Sequence, residues 1–260
     1  MSSPDVPFIH PKAFEEQPPN YQFLGPDQPT APPHQEQPQA YPDSDPKGMV
    51  PYVAQIPGVP PGLEYLMQIN QITIQQKYFT TQIGNTYEFL NTMGQRIFLG
   101  KQDANCCGPQ FSVKIMDNSN TEVIDLLQPC KCTCTDEVEV HSPPGTIIGY
   151  ATLNWHVHVT SLSISNASKE TVLLVIGPSF RTNIFGDVNF EVKSKDETQT
   201  VGQITRDNER FVVQFPLDLD VKMKVVLLGA ALFLDNEVQL KRQRMLNRNR
   251  HHHHHRNNLH

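Results

Sequence analysis

Between residues 69 and 215, apolar and polar side chains alternate in short runs, the period of strands with one face buried and the other in water. The runs are 69–74, 86–90, 96–99, 111–115, 137–140, 162–164, 172–176 and 188–192. Clusters of turn-forming residues punctuate them at 91–94, 117–120, 143–145, 166–169, 177–178 and 186–187. Many short strands separated in this way predict an antiparallel all-β barrel or sandwich. One segment breaks the alternation. Val225, Val226, Leu227, Leu228, Gly229, Ala230, Ala231, Leu232, Phe233 and Leu234 carry no polar side chain, and they follow Lys222 and Lys224 closely. A helix over about 219–234 is expected here, closed off by Asp235-Asn236-Glu237. Its ten apolar residues rise about 15 Å, roughly half the hydrocarbon thickness of a bilayer. A helix that is apolar on every side belongs in a protein core or in lipid. Two readings follow: a helix buried in the fold, or a marginal anchor whose flanks snorkel to the interface. A closed barrel holding one helix through its middle satisfies both the alternation and the run.

The rest of the 260-residue chain has a different texture. Sixteen of the 22 prolines precede Gly62, and residues 1–55 are rich in Pro, Gln, Asp and Glu. Such a segment cannot bury enough apolar surface to offset chain entropy, so a disordered, extended arm is expected. The barrel and its helix are assigned to 56–234, and a basic, His-rich tail to 235–260. The net charge of −6 conceals that tail, because from Lys241 onward there are six Lys/Arg and no carboxylate. The N-terminal residues lack the apolar stretch of a signal peptide. The five cysteines are therefore expected as free thiols in a reducing cytosol. Asn166-Ala167-Ser168 then reads as a turn and not as a glycosylation acceptor. No catalytic constellation stands out: His156 and His158 flank Val157 without a paired nucleophile, and glycine-rich phosphate loops are absent from the sequence.

Five blocks resemble the phospholipid scramblase family. They are Ile56-Pro57-Gly58-Val59-Pro60-Pro61-Gly62-Leu63-Glu64-Tyr65-Leu66, then Asn91-Thr92-Met93-Gly94-Gln95-Arg96-Ile97-Phe98. Next come Pro143-Pro144-Gly145-Thr146-Ile147-Ile148-Gly149-Tyr150 with Trp155 beyond it, and Gly186-Asp187-Val188-Asn189-Phe190-Glu191-Val192-Lys193-Ser194. The last is Gln214-Phe215-Pro216-Leu217-Asp218-Leu219-Asp220-Val221-Lys222-Met223-Lys224. The resemblance is collinear over 56–234 and implies a tubby-like fold, a closed β-barrel around a hydrophobic C-terminal helix. It also implies calcium-linked, ATP-independent, bidirectional movement of phospholipids between leaflets, at the cytoplasmic face of the plasma membrane. The chain departs from the family in four places. Only Cys130, Cys132 and Cys134 stand where the family has a denser cysteine run, and Ser179-Phe180 replaces a second cluster. A family segment linked to nuclear import is missing between Ile204 and Asp207. The basic tail replaces a phenylalanine-rich end.

Three sets of residues carry candidate chemistry. Cys130, Cys132 and Cys134 lie two apart, so on an extended segment their thiols point the same way. That suits multiple S-acylation by palmitate, since two lipid chains anchor where one does not; idle or buried thiols are the other reading, with a cytosolic or nuclear pool when acylation fails. Residues 207–218 occupy the place of the family's proposed calcium loop. A helix–loop–helix calcium site needs oxygen ligands at fixed positions and a glycine at the sixth. Asp207, Glu209 and Asp218 supply oxygen, whereas Phe211, Val213 and Phe215 offer only backbone carbonyls, and Val212 takes the glycine position. The same residues alternate like a strand, so a weak calcium site and an ordinary strand both remain open. In the arm, Pro18, Pro19 and Tyr21 fit the PPxY ligand of WW domains, and Pro29, Thr30, Ala31 and Pro32 fit the PTAP ligand of the ESCRT-I complex. Extended proline segments dock on such partners, or on SH3 domains, at low entropic cost. The expected partners are thus phospholipids, a membrane surface and these recruitment domains, not nucleic acid.

Overall fold

The computed structural model describes residues 50, 53–77, 84–103, 111–129, 136–156, 158–179, 187–207 and 210–257. A 3-10 helix, Glu64–Gln68, leads into the first strand. The strands are β1 Gln71–Lys77, β2 Thr86–Leu90, β3 Arg96–Gln102 and β4 Ser112–Met116. Next are β5 Glu122–Leu127, β6 Glu137–His141, β7 Ile147–Trp155 and β8 Val159–Asn166. The last four are β9 Thr171–Pro178, β10 Val188–Ser194, β11 Thr200–Asp207 and β12 Arg210–Gln214. Every strand pairs antiparallel with its neighbours in sequence, and β1 pairs β12 from Gln71↔Gln214 to Gln75↔Arg210 to close the barrel. Asp207 pairs directly with Arg210 across the β11–β12 hairpin, so the barrel closes with β11 and β12 joined by a short connection.

The alternation read from the sequence is the inside and outside of this barrel. Ile72 and Ile74 of β1, Val188, Phe190 and Val192 of β10, and Phe211 and Val213 of β12 are all buried. Their neighbours Thr73, Gln75, Asn189 and Glu191 face outward. A barrel of twelve strands is wider than the eight-stranded kind that its own side chains fill, and narrower than porins with their aqueous channels. Something must occupy the lumen, and here it is the helix.

That helix, α1, runs Val221–Asn257, 37 residues. The expected helix of about 219–234 followed by a separate tail is therefore corrected. Asp235-Asn236-Glu237 ends the apolar run without ending the helix. The run stops where the apolar lumen stops, and intrahelical hydrogen bonding continues past it. Successive strands alternate in direction, so the two ends of the barrel differ. The near end carries α1's start, the tight turns at 91–95, 117–121, 142–146, 167–170 and 195–199, and Val50, whose N–H donates to Arg96 O. The far end carries the β1–β2, β3–β4, β5–β6, β7–β8, β9–β10 and β11–β12 connections, and from it α1 emerges. At the near end Asn166 Oδ1 accepts from the N–H groups of Ser168 and Glu170, so that segment is a turn, as expected.

Candidate functional site

The barrel interior and the helix inside it form the most specific constellation in the described residues. All nine side-chain-bearing residues of the apolar run are at most 1% exposed. Gly229 is the run's only residue without a side chain, and a Cβ there would sit 3.1 Å from Leu126 and 3.2 Å from Val140. At this point the helix packs against Leu126 of β5 and Val140 of β6 with no room to spare. Gly149 of β7 answers it from the wall, since a Cβ at that position would meet Ser165 O at 2.5 Å and Val226 at 2.6 Å. Phe233 stacks obliquely on Phe111 at 5.9 Å between ring centroids.

At the near end the helix is held by a buried cation. Asp220 Oδ1 caps the first turn, accepting from Lys222 N at 2.9 Å and Met223 N at 3.3 Å. One turn later Lys224, fully buried, donates its ammonium to three backbone carbonyls: Leu66 O at 2.9 Å, Ile69 O at 3.1 Å and Leu217 O at 2.7 Å. These belong to the 3-10 helix, the lead into β1 and the segment before α1. One side chain thereby ties three pieces of chain to the helix, with the Phe215 ring 5.2 Å away. Burial lowers the Lys224 pKa from its ordinary value, partly offset by Asp218. A lysine near a helix N-terminus opposes the helix dipole.

At the far end the helix leaves through a polar ring. Arg206 of β11 points inward and lies 3.6 Å from Asp235, both nearly inaccessible. Gln239 Nε2 donates to Asp235 Oδ2 at 2.6 Å and to Gln76 Oε1 at 3.2 Å. Gln102 Nε2 donates to Asn236 Oδ1 at 3.3 Å, while its own Oε1 accepts from Asn85 and Tyr87. Burial raises the Asp235 carboxyl above its usual range, against the pull of Arg206. Glu237, just outside, is also raised, by burial and then by Asp136. The sequence reading missed this ring. An inward arginine in a polar strand and an aspartate after an apolar run each look solvated until they are seen to face one another.

The other predicted residues fare differently. Asp207 ends β11 at the far end, whereas Asp218 lies in the near-end segment before α1. Between them β12 spans about 13 Å at 3.3 Å per residue, far beyond a coordination sphere with ligands 2.3–2.6 Å from one ion. Phe211, Val213 and Phe215 are buried, and β12 is laddered on both sides to β1 and β11. Of the two readings left open for this segment, the structure shows the strand, and it sets Asp207 and Asp218 at opposite ends of the barrel. Glu209 lies outside the described residues. So do Cys130, Cys132 and Cys134, in the β5–β6 connection, and Pro18, Pro19, Tyr21, Pro29, Thr30, Ala31 and Pro32. Among the described residues no group of three His, Cys, Asp or Glu is placed to hold a metal ion, and no helix is long and apolar enough to cross a membrane. A groove of about 660 Å³, within the range of small-ligand sites, opens at the near end between Val59, Pro143, Ile147, Val172, Lys222 and Met223.

The Scramblase family model matches residues 49–238, a span that takes in the whole barrel and the buried part of α1. The chain belongs to the scramblase family. Among its scramblase relatives is bovine phospholipid scramblase 2, 40% identical over 206 residues covering 68% of this chain and 70% of the relative. Human phospholipid scramblase 1 is also 40% identical over 206 residues, covering 68% of this chain and 65% of the relative. Human phospholipid scramblase family member 5 is 36% identical over 207 residues, covering 68% and 76%. This scramblase-family chain therefore spans about two thirds to three quarters of these relatives' lengths. A solved Arabidopsis thaliana protein aligns with a TM-score of 0.43 at 13% identity, over 64% of this chain and 92% of that one.

Proposed function

We propose that this protein promotes calcium-linked, ATP-independent movement of phospholipids between leaflets, working at the cytoplasmic face of the plasma membrane. One observation carries the reading: the family match spans residues 49–238, from before β1 to the end of the buried part of α1, and the barrel within it is closed. Palmitate on Cys130, Cys132 and Cys134 would supply a hydrophobic anchor. Calcium contacts from 207–218 would come from Asp207 and Asp218 separately, which supports only weak binding. A second reading is favoured by the burial of the apolar run, which leaves no lipid-facing stripe on that helix. Under it the barrel is a lipid- or protein-binding module at the membrane, and the proline-rich arm recruits WW, SH3 or ESCRT-I-type partners.

The two readings separate in one experiment. Purified full-length protein is added to liposomes carrying labelled phospholipids, with and without calcium. Calcium-dependent equilibration of label between leaflets supports the first reading. Liposome binding with no equilibration at any calcium level leaves the adaptor.

A further inference from the structure

Beyond Asp235 the helix persists while its composition changes. Lys241, Arg242, Arg244, Arg248, Arg250 and Arg256 follow with no Asp or Glu among them, on backbone that stays helical to Asn257. The first of these cations have partners at the far rim. Lys241 and Arg244 act on the Glu237 carboxyl, and Arg242 acts on Asp235. Arg248, Arg250 and Arg256 come later than any carboxylate in the sequence could match at one-turn spacing, because the last acid is Glu237. From Glu237 to Arg256 a helix rises about 28 Å, nearly three screening lengths at 0.1 M salt. Arg248 and Arg250 already lie about 16 and 20 Å of helix rise past Glu237, one and a half to two screening lengths from the last acid. The positive charge belongs to the projecting helix, not to the barrel end.

We propose that this extension is an electrostatic contact for an anionic phospholipid surface. The lipid partner rests on the function proposed above; the charge and the geometry do not. The composition argues for a surface contact without insertion, because Met245 and Leu246 are the only apolar side chains from Lys241 to Asn257. The segment holds no Phe, Tyr or Trp, and the rings on which bases could stack are the His251–His255 imidazoles, so nucleic acid is an outcome that the test separates from lipid. A row of like charges with no acid between them is self-repelling in water. Anionic headgroups relieve that repulsion, so the surface that binds the extension also stabilises its helix.

The test is co-sedimentation of the full chain with phosphatidylcholine vesicles, with and without phosphatidylserine. Binding is expected to need phosphatidylserine and to be lost between about 0.1 and 1 M salt, as the screening length falls from about 10 to 3 Å. Each cation near an anionic surface contributes about fivefold in affinity. The triple variant Arg248→Gln, Arg250→Gln, Arg256→Gln should therefore bind on the order of 100-fold more weakly. These positions lie well beyond the barrel, and an unchanged melting temperature shows that the fold is intact. The control Lys169→Gln, Lys195→Gln, Lys222→Gln makes the same change in net charge at the near end and should retain binding. Equal binding to neutral vesicles, an unweakened outer variant or an equally weakened control would each overturn the proposal, as would duplex DNA displacing the protein from vesicles at equal salt. Leaflet equilibration measured on the same samples is independent: its failure with binding intact counts against the proposed function alone.

Discussion

Replacing Lys224 by Met separates a barrel-core helix from a membrane anchor, because the two predict opposite signs. The substitution keeps an unbranched stem of similar length and removes the ammonium. Three carbonyl oxygens, those of Leu66, Ile69 and Leu217, lose their donor in a buried setting. A buried acceptor left without its partner costs about 1–3 kcal/mol. Only the Leu66 contact is fully buried, so the low end of that range suits the other two and the total is roughly 4 kcal/mol. Against this, methionine carries no charge to desolvate. Burial lowers the Lys224 pKa, so the substitution also removes a desolvation cost that offsets part of this loss. The net loss is about 3 kcal/mol, or roughly 6–12 °C in melting temperature for a domain of this size. Circular dichroism melts of the full chain measure it, alongside the membrane fraction in cells. If the run were an anchor, methionine would lengthen its apolar stretch, leave stability unchanged and raise the membrane fraction. That pair of results would refute the buried latch.

Three further outcomes follow from the far-end ring and the split acidic segment. Asp235→Leu removes the carboxylate that faces buried Arg206 and should cost about 3–5 kcal/mol, whereas the double variant Arg206→Met, Asp235→Leu should recover most of it; denaturant titration of the set checks this. The Glu237 carboxyl is raised in the folded state, so its contribution to stability is fully present below the unfolded value of 4.5 and lost as pH rises through the folded value. Glu237→Gln should thus melt above the wild type near pH 7, with the gap closing as the pH is lowered toward roughly 4. Calorimetry with calcium should give a dissociation constant of roughly 10⁻⁴–10⁻³ M or no heat, and Asp207→Ala should remove no micromolar site.

The elements that were legible were those whose local pattern agrees with their place in the barrel. β1, β10 and β12 alternate cleanly because each faces the lumen on one side and water on the other. β5 hid because the register shifts between Ile115 and Met116, so Val123 and Ile124 are both buried and the alternation breaks. β7 hid behind Gly149, which reads as a turn residue but thins the wall where Val226 packs. β11 hid because its inward positions include Gly202 and Arg206, neither of which signals a core. The length of α1 was misjudged for the same reason. Asp235 looks like a stop signal unless its partner, distant in sequence, is known. Local periodicity reports burial faithfully when the buried residue is apolar, and fails where burial is made tolerable by a remote polar partner.

That the apolar run is the core of the barrel, and not a passage through the bilayer, is tested most directly by topology mapping in cells. An Asn-X-Ser glycosylation acceptor is appended after His260 in the full chain, with the same acceptor on a lumenal reporter as the positive control. With residues 225–234 sealed inside the barrel, the appended acceptor stays unmodified while the reporter is glycosylated. Efficient glycosylation after His260 would mean that the helix crosses the membrane and that the barrel does not enclose it.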